Sequence, residues 1–216
     1  MGPLLDARLD SRQDSPPPSF DPAIAPPFQL PDAYRVSPQG LAAYQALIRQ
    51  AREESIRTGR PVLVIDKAAH ELDLYRAGEV EATWPVELGH NPVDDKLMEG
   101  DRATPEGRYV VEQFKDVGQT RFYRALLLNY PNADDLARFR ELQKAGEIPD
   151  SATPGSLIEI HGHGSGLGIH GYDWTLGCIA LSDADMDELI NAGAGKGTVV
   201  FIVRYGARHD YTLSGQ

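Results

Sequence analysis

The hydrophobic pattern of the chain changes its period at Pro61, and this change constrains the fold more than any other feature. Before Pro61, from Ser37 to Thr58, apolar residues recur at the three- and four-residue spacing of a helix. After Pro61, short apolar or alternating runs separated by turn residues predict strands as far as Tyr205. The sequence therefore predicts a mainly β or α+β fold, with mixed sheets or a sandwich and a few peripheral helices.

Pro and Gly punctuate the chain into four parts. The first part is rich in Pro, Asp and Ser, which predicts an extended arm that is either disordered or packed on the domain. Ser37 and Pro38 predict a helix start, and Gly59 predicts its end. We expect an arm at 1–34, a helix within 35–60, the main domain at 61–207 and a tail at 208–216.

The main domain contains eight predicted strands and two predicted helices. The strands are 62–66, 71–75, 80–88, 107–114, 123–130, 157–160, 178–181 and 198–205. The helices are 134–145 and 184–192, the second capped by Ser182 or Asp183. Strands dominate, so we expect the helices to lie at the periphery.

Composition excludes several classes of protein. The formal net charge of −11 disfavours binding to nucleic acid or to an anionic membrane surface, because like charges repel. No run approaches the roughly 18 apolar residues of a membrane span. The first residues lack the basic and apolar regions of a signal peptide, so we expect either an internal protein or a mature chain whose signal was removed.

The single cysteine, Cys178, follows three histidines in a glycine-rich stretch. A lone Cys with His nearby is typical of nucleophilic thiol catalysis. His161, His163, His170 and Cys178 are also a possible zinc site, although no Cys-x-x-Cys or His-Glu-x-x-His pattern accompanies them. Glycine at every second position from 162 to 168 predicts a mobile flap between two His-Gly pairs.

Several segments, in this order, resemble the L,D-transpeptidase catalytic domain (YkuD) family. They are Val64 to Tyr75, the Gly-Asp-Arg-Ala-Thr-Pro-Glu-Gly-Arg-Tyr segment at 100–109, Leu-Asn-Tyr-Pro-Asn at 128–132, and Asp-Trp-Thr-Leu-Gly-Cys at 173–178. The resemblance covers about 61–205 and implies a YkuD-like fold of β-sandwich or mixed sheets. Leu176 replaces the His of many members, and Ala180 replaces a polar residue, Arg or Asn, that usually takes part in carboxylate recognition.

The resemblance implies a peptidoglycan L,D-transpeptidase in the periplasm or cell envelope. Cys178 would attack the L,D-amide of a stem peptide, form a thioester and pass it to an amine acceptor. No cofactor or metal is implied, and a carbapenem is expected to acylate the thiol. His161 is the expected base and His170 the alternative.

Three glycine and threonine positions complete the implied site. The N–H groups of Gly177 and Cys178 are expected to bind the oxyanion, and the Gly162 carbonyl is expected to orient His161. Thr175 is either a donor to the substrate or a turn residue. His163 is expected to support the site or touch substrate, unless it is simply exposed.

Three other functions stay open at this point. A hydrolase of the same family would use water in place of the amine, and would trim stem peptides or release wall-attached protein. A zinc site would use the four residues named above. A non-catalytic wall-binding module would leave Cys178 unlabelled by reagents that acylate the family.

Overall fold

A computed structural model describes residues 38–164 and 171–206 of the chain. Within them lie three helices and eight strands. The helices are α1 (Pro38–Thr58), α2 (Ala133–Ala145) and α3 (Asp183–Asn191). The strands are β1 (Val62–Asp66), β2 (Glu71–Arg76), β3 (Glu79–Pro85), β4 (Gly107–Lys115), β5 (Tyr123–Leu128), β6 (Glu159–Gly162), β7 (Ile179–Leu181) and β8 (Val199–Val203). The expected arm at 1–34 and tail at 208–216 lie outside the described residues.

The strands form one mixed sheet in the order β3-β2-β1-β8-β4-β5-β6-β7. The pairs β1–β8 and β6–β7 are parallel, and the other neighbours are antiparallel. The first residues of β4 pair with β8 and the later ones with β5, so β4 joins the two halves of the sheet. The prediction of a mainly β, α+β fold with mixed sheet pairing and few helices is confirmed.

Strand β1 is buried on both faces, which explains its uninterrupted apolar sequence. Leu63 and Ile65 point into the main core, whereas Val62 and Val64 pack in a second cluster beneath α1. The alternation of side chains along the strand separates these two sets. Helix α1 therefore covers the face of the sheet opposite the main core.

A buried ion pair fixes the loop that leads from β3 to β4. The Lys67 ammonium is fully buried and donates to the carbonyls of Asp94 and Thr104, at 2.6 and 3.0 Å, and to Glu106 Oε1 at 3.0 Å. Glu106 also accepts a hydrogen bond from Tyr44 of α1. A buried ammonium with three partners holds this loop against β1.

Four predicted strand starts differ from the structure: those of β3 and β8 by one residue each, and those of β6 and β7 beside the predicted site residues. Strand β6 begins at Glu159 rather than at Leu157, because Leu157 has a φ of 61°, which no strand residue adopts. His161 therefore lies inside the strand, not after its end. Strand β7 likewise begins one residue after Cys178.

None of the helices within the described ranges is both long and apolar enough to cross a membrane.

Candidate active site

A cleft of about 900 Å³ opens beside the β6–β7 edge of the sheet. Its walls come from the loop before β4, the β4–β5 hairpin loop, strand β6 and the turn before β7. His161 and Cys178 both line it. Of the residues predicted from the sequence, Thr175 also lies in this wall.

The register of β6 and β7 brings His161 and Cys178 to the same face of the sheet. Ile160 pairs with Ile179 and His161 with Ala180, so Cys178 is displaced two residues along the sheet from the partner of His161. Side chains two residues apart on a strand share a face. Cys178 directly precedes β7, and if the strand spacing and rise per residue continued to it, its Cα would lie about 8 Å from that of His161. An imidazole and a thiol can meet across that separation.

The His161 side chain is held as a neutral imidazole. Its Nδ1 lies 2.9 Å from the Gly162 carbonyl oxygen, which can only accept, so the proton resides on Nδ1 and Nε2 carries the lone pair. The side chain is fully buried, and Nε2 has no hydrogen-bond partner among the described residues. Burial lowers the pKa of His161 to about 4, against the opposing effect of the Gly162 carbonyl.

Two aromatic rings fix the plane of the imidazole. Phe122 stacks on His161 with ring centroids 3.7 Å apart and planes 9° apart. Trp174 meets the same imidazole edge-to-face, at 5.9 Å and 72°. The ring therefore has little freedom to turn Nε2 away from the direction set by Gly162.

A buried carboxylate, Glu87, supports the tryptophan. Glu87 accepts from the Trp174 indole N–H at 2.7 Å and from the Gly171 N–H at 2.7 Å, and its carboxylate lies 3.0 Å from His163 Nε2. The backbone of Glu87 also pairs with Ala180 of β7. His163 is thus a buried partner of Glu87 and contacts Trp174 edge-to-face at 5.7 Å.

The Cys178 thiol is uncharged at neutral pH. Its Sγ donates to the Leu157 carbonyl oxygen at 3.5 Å. Burial raises the pKa of Cys178 to about 11, although a backbone N–H at Glu159 opposes the rise. The left-handed backbone of Leu157 turns this carbonyl towards the thiol.

The turn before Cys178 is held by the threonine that the sequence singled out. The Thr175 hydroxyl donates to the Cys178 carbonyl at 2.7 Å and accepts from the Gly177 N–H at 3.1 Å. Thr175 thus occupies the turn, one of the two roles expected for it, and the Gly177 N–H expected at the oxyanion is engaged with its hydroxyl. Gly177 has a φ of +130°, and a Cβ there would lie 2.7 Å from the Ala103 carbonyl oxygen, so only glycine fits.

The alternative base His170 lies outside the described residues, as do residues 165–169 of the expected flap. The first residues of that segment, 162–164, are described, and Gly162 belongs to strand β6 rather than to a flap. Within 38–164 and 171–206, no three His, Cys, Asp or Glu side chains are arranged to hold a metal ion.

Sequence reasoning missed Glu87 and Phe122. Glu87 had a visible signal, because a carboxylate between Val86 and Leu88 interrupts an apolar run and needs a buried partner. Phe122 had none, because a hairpin loop does not reveal which distant residue it contacts.

The family model of the L,D-transpeptidase catalytic domain, YkuD, matches residues 60–202 of the chain. YafK of Escherichia coli (strain K12), which its name assigns provisionally to the L,D-transpeptidases, is 28% identical over 143 residues. That alignment covers 63% of this chain and 49% of YafK, so the chain spans about half the length of this relative.

Two solved structures align with the chain. The helical cell shape determining protein Pgp2 from Campylobacter jejuni aligns with a TM-score of 0.53 and 23% identity, over 68% of this chain and 49% of Pgp2. Bd1075 of Bdellovibrio bacteriovorus aligns with a TM-score of 0.49 and 20% identity, over 69% of this chain and 51% of that one. With the family model matching well over half of its residues, the chain belongs to the L,D-transpeptidase catalytic domain (YkuD) family.

Proposed function

We propose that this protein is a peptidoglycan L,D-transpeptidase with Cys178 as nucleophile and His161 as base. One observation carries the proposal: a buried neutral imidazole with an unpartnered Nε2 shares a cleft with the only thiol of the chain. Because peptidoglycan is the substrate, the proposed location is the periplasm or cell envelope.

The reaction follows from the two neutral groups. The Cys178 thiol passes its proton to His161 Nε2 as Sγ attacks the carbonyl carbon of an L,D-amide in a stem peptide. The C–N bond breaks, the terminal D-residue takes the proton from Nε2 onto its amine, and a thioester forms on Cys178. An acceptor amine then attacks the thioester and loses a proton to His161, which returns it to the sulfur.

Backbone groups and two aromatic rings around Cys178 and His161 would stabilise the charges that form in this reaction and hold the imidazole in place. Because the Gly177 N–H is engaged within its turn, the Cys178 N–H is the proposed donor to the oxyanion. The Gly162 carbonyl stabilises the imidazolium that forms briefly, since it accepts from Nδ1–H. Phe122 and Trp174 keep the ring in position throughout.

Mass analysis tests the proposal on the full chain. A stem tetrapeptide mixed with an amine acceptor should lose its terminal D-residue and gain the acceptor, and a carbapenem should add its mass to the protein once. Both changes should vanish in Cys178→Ala. His161→Ala should slow acylation about 100-fold or more, the loss typical of a general base, and more than His170→Ala does.

Each other outcome has a definite meaning. Shortened peptide without acceptor would assign the hydrolase of the same family. A greater loss in His170→Ala would move the base to that residue. Activity abolished by a chelator, with stoichiometric zinc, would favour the zinc site. An unlabelled Cys178 would contradict the proposal and favour a wall-binding module.

A further inference from the structure

The cleft differs in charge from the chain that forms it. The formal net charge of the whole chain is −11, yet the cleft is lined by four cationic side chains and two carboxylates, Glu99 and Glu159. The cationic residues are Lys96, Arg102, Lys115 and Arg121. A local excess of positive charge in a concave site attracts anionic ligands.

Two of these cations are already neutralised inside the protein. Lys115 pairs with Glu159 at 2.5 Å, and Lys96 pairs with Asp101 at 2.8 Å. Arg102 and Arg121 are both exposed and form no salt bridge with any described residue. These two guanidinium groups are therefore the cations that the cleft offers to a ligand, and the Glu99 carboxylate accepts from the Thr153 hydroxyl at 2.6 Å.

Arg121 is the one of the two that acts on the catalytic pair. Its charge opposes the burial that raises the pKa of Cys178, and it adds to the burial that lowers the pKa of His161. Its guanidinium carbon lies 4.9 Å from the ring centroid of Phe122, the ring that stacks on His161. The Thr120 hydroxyl accepts from the Phe122 N–H at 3.2 Å, which orders this part of the hairpin loop.

The residue two positions after Cys178 offers no polar group to a ligand. Ala180 is fully buried in β7 and presents only a methyl group. A substrate carboxylate must therefore find its partner elsewhere in the cleft. A guanidinium suits this task, because its planar fork matches the two oxygens of a carboxylate.

We propose that Arg121 binds a carboxylate of the stem peptide and anchors it beside Cys178. This inference rests on the proposed function and names the residue that would select stem peptides carrying that carboxylate. The carboxylate is either the α-carboxylate of the leaving D-residue or the side-chain carboxylate of the diamino acid in the stem. Arg121 supplies the positive charge and the paired N–H donors for this carboxylate, which the apolar Ala180 cannot supply.

Binding measured without turnover tests the role of Arg121. In the full chain carrying Cys178→Ala, calorimetry compares a stem tetrapeptide acid with its C-terminal amide and with an analogue whose diamino acid is lysine. One of the two modified peptides should bind about 10- to 100-fold more weakly, the loss expected for a hydrogen-bonded ion pair. When Arg121→Gln is added to Cys178→Ala, the tetrapeptide acid should bind only as weakly as that modified peptide.

The matched control is Arg140→Gln, an exposed arginine of α2 outside the cleft. It removes the same charge and should leave the preference for the tetrapeptide acid over the weaker-binding modified peptide unchanged. A preference that survives Arg121→Gln, or equal binding of all three peptides by the parent chain, overturns the inference. Because Cys178→Ala cannot be acylated, this result is independent of whether Cys178 of the unmodified chain forms a thioester.

Discussion

Cys178 and His161 are both uncharged at rest, and this sets how the thiol reacts. Burial acts on the two groups in opposite senses, since it raises the pKa of a thiol and lowers that of an imidazole. A thiolate–imidazolium pair is therefore not the resting state of the free protein. In the reaction proposed above, the proton would leave the thiol only as the substrate carbonyl is attacked, when the developing charge passes on to the oxyanion.

The resting state can be read from alkylation of Cys178 by iodoacetamide, because only the thiolate reacts. With a thiol pKa of about 11, the rate should rise about tenfold per pH unit from pH 6 to 10 and show no plateau. Intact mass gives the rate directly, since the chain has one cysteine. The same chain unfolded in urea provides the control, and its rate should level off above the ordinary thiol pKa of about 8.5. A plateau between pH 5 and 7 in the folded protein would instead reveal a resting ion pair.

At the scale of elements, the segment after β3 connects the sheet to the site. Glu87 extends the ladder by pairing with Ala180, and its side chain holds Trp174 and Gly171. The backbone contact fixes the position of β7, and the carboxylate holds the Trp174 ring that lies beside His161. One residue thus couples the position of the turn that carries Cys178 to that of the Trp174 ring against His161.

Replacing Glu87 by glutamine should weaken these contacts. The carboxamide keeps one acceptor oxygen, so at least one of the indole, the Gly171 N–H and His163 loses its partner, at a cost of about 2 kcal/mol in the free energy of unfolding. Urea unfolding measures this loss, and the rate of Cys178 acylation should fall as well. Glu53→Gln on the exposed face of α1 removes the same charge and should change neither quantity. Unchanged acylation in a destabilised Glu87→Gln protein would limit Glu87 to a structural role.

Much of the element order was predictable, and the contacts between elements were not. The apolar runs of β1 and β8 and the cap at Ser182 are local signals, and the structure follows them. The predicted start of β6 was wrong, because the alternation of apolar and polar residues does not reveal the left-handed backbone of Leu157. The hydrogen bond between Glu87 and Trp174 joins residues 87 positions apart, and no local pattern encodes such a contact.

At the scale of the whole molecule, the neutral His161 makes stability depend on pH. The folded pKa of about 4 lies below the ordinary value of 6.5, so the unfolded chain binds more protons between those limits. Stability is therefore highest above pH 6.5 with respect to this group, and it falls as the pH drops towards 4. Integration over the window gives a loss of about 3 kcal/mol.

Urea unfolding at pH 7 and pH 4.5 should detect this loss in the free energy of unfolding. The parent chain should lose about 2 to 3 kcal/mol more than His161→Gln does between the two pH values, because glutamine does not titrate. The comparison cancels the carboxylates, which titrate in both proteins. His90→Gln, at an exposed position, should follow the parent. If His161→Gln lost as much stability as the parent, the imidazole would not be held neutral by burial, and the proton transfer proposed from Cys178 to a free Nε2 would lose its basis.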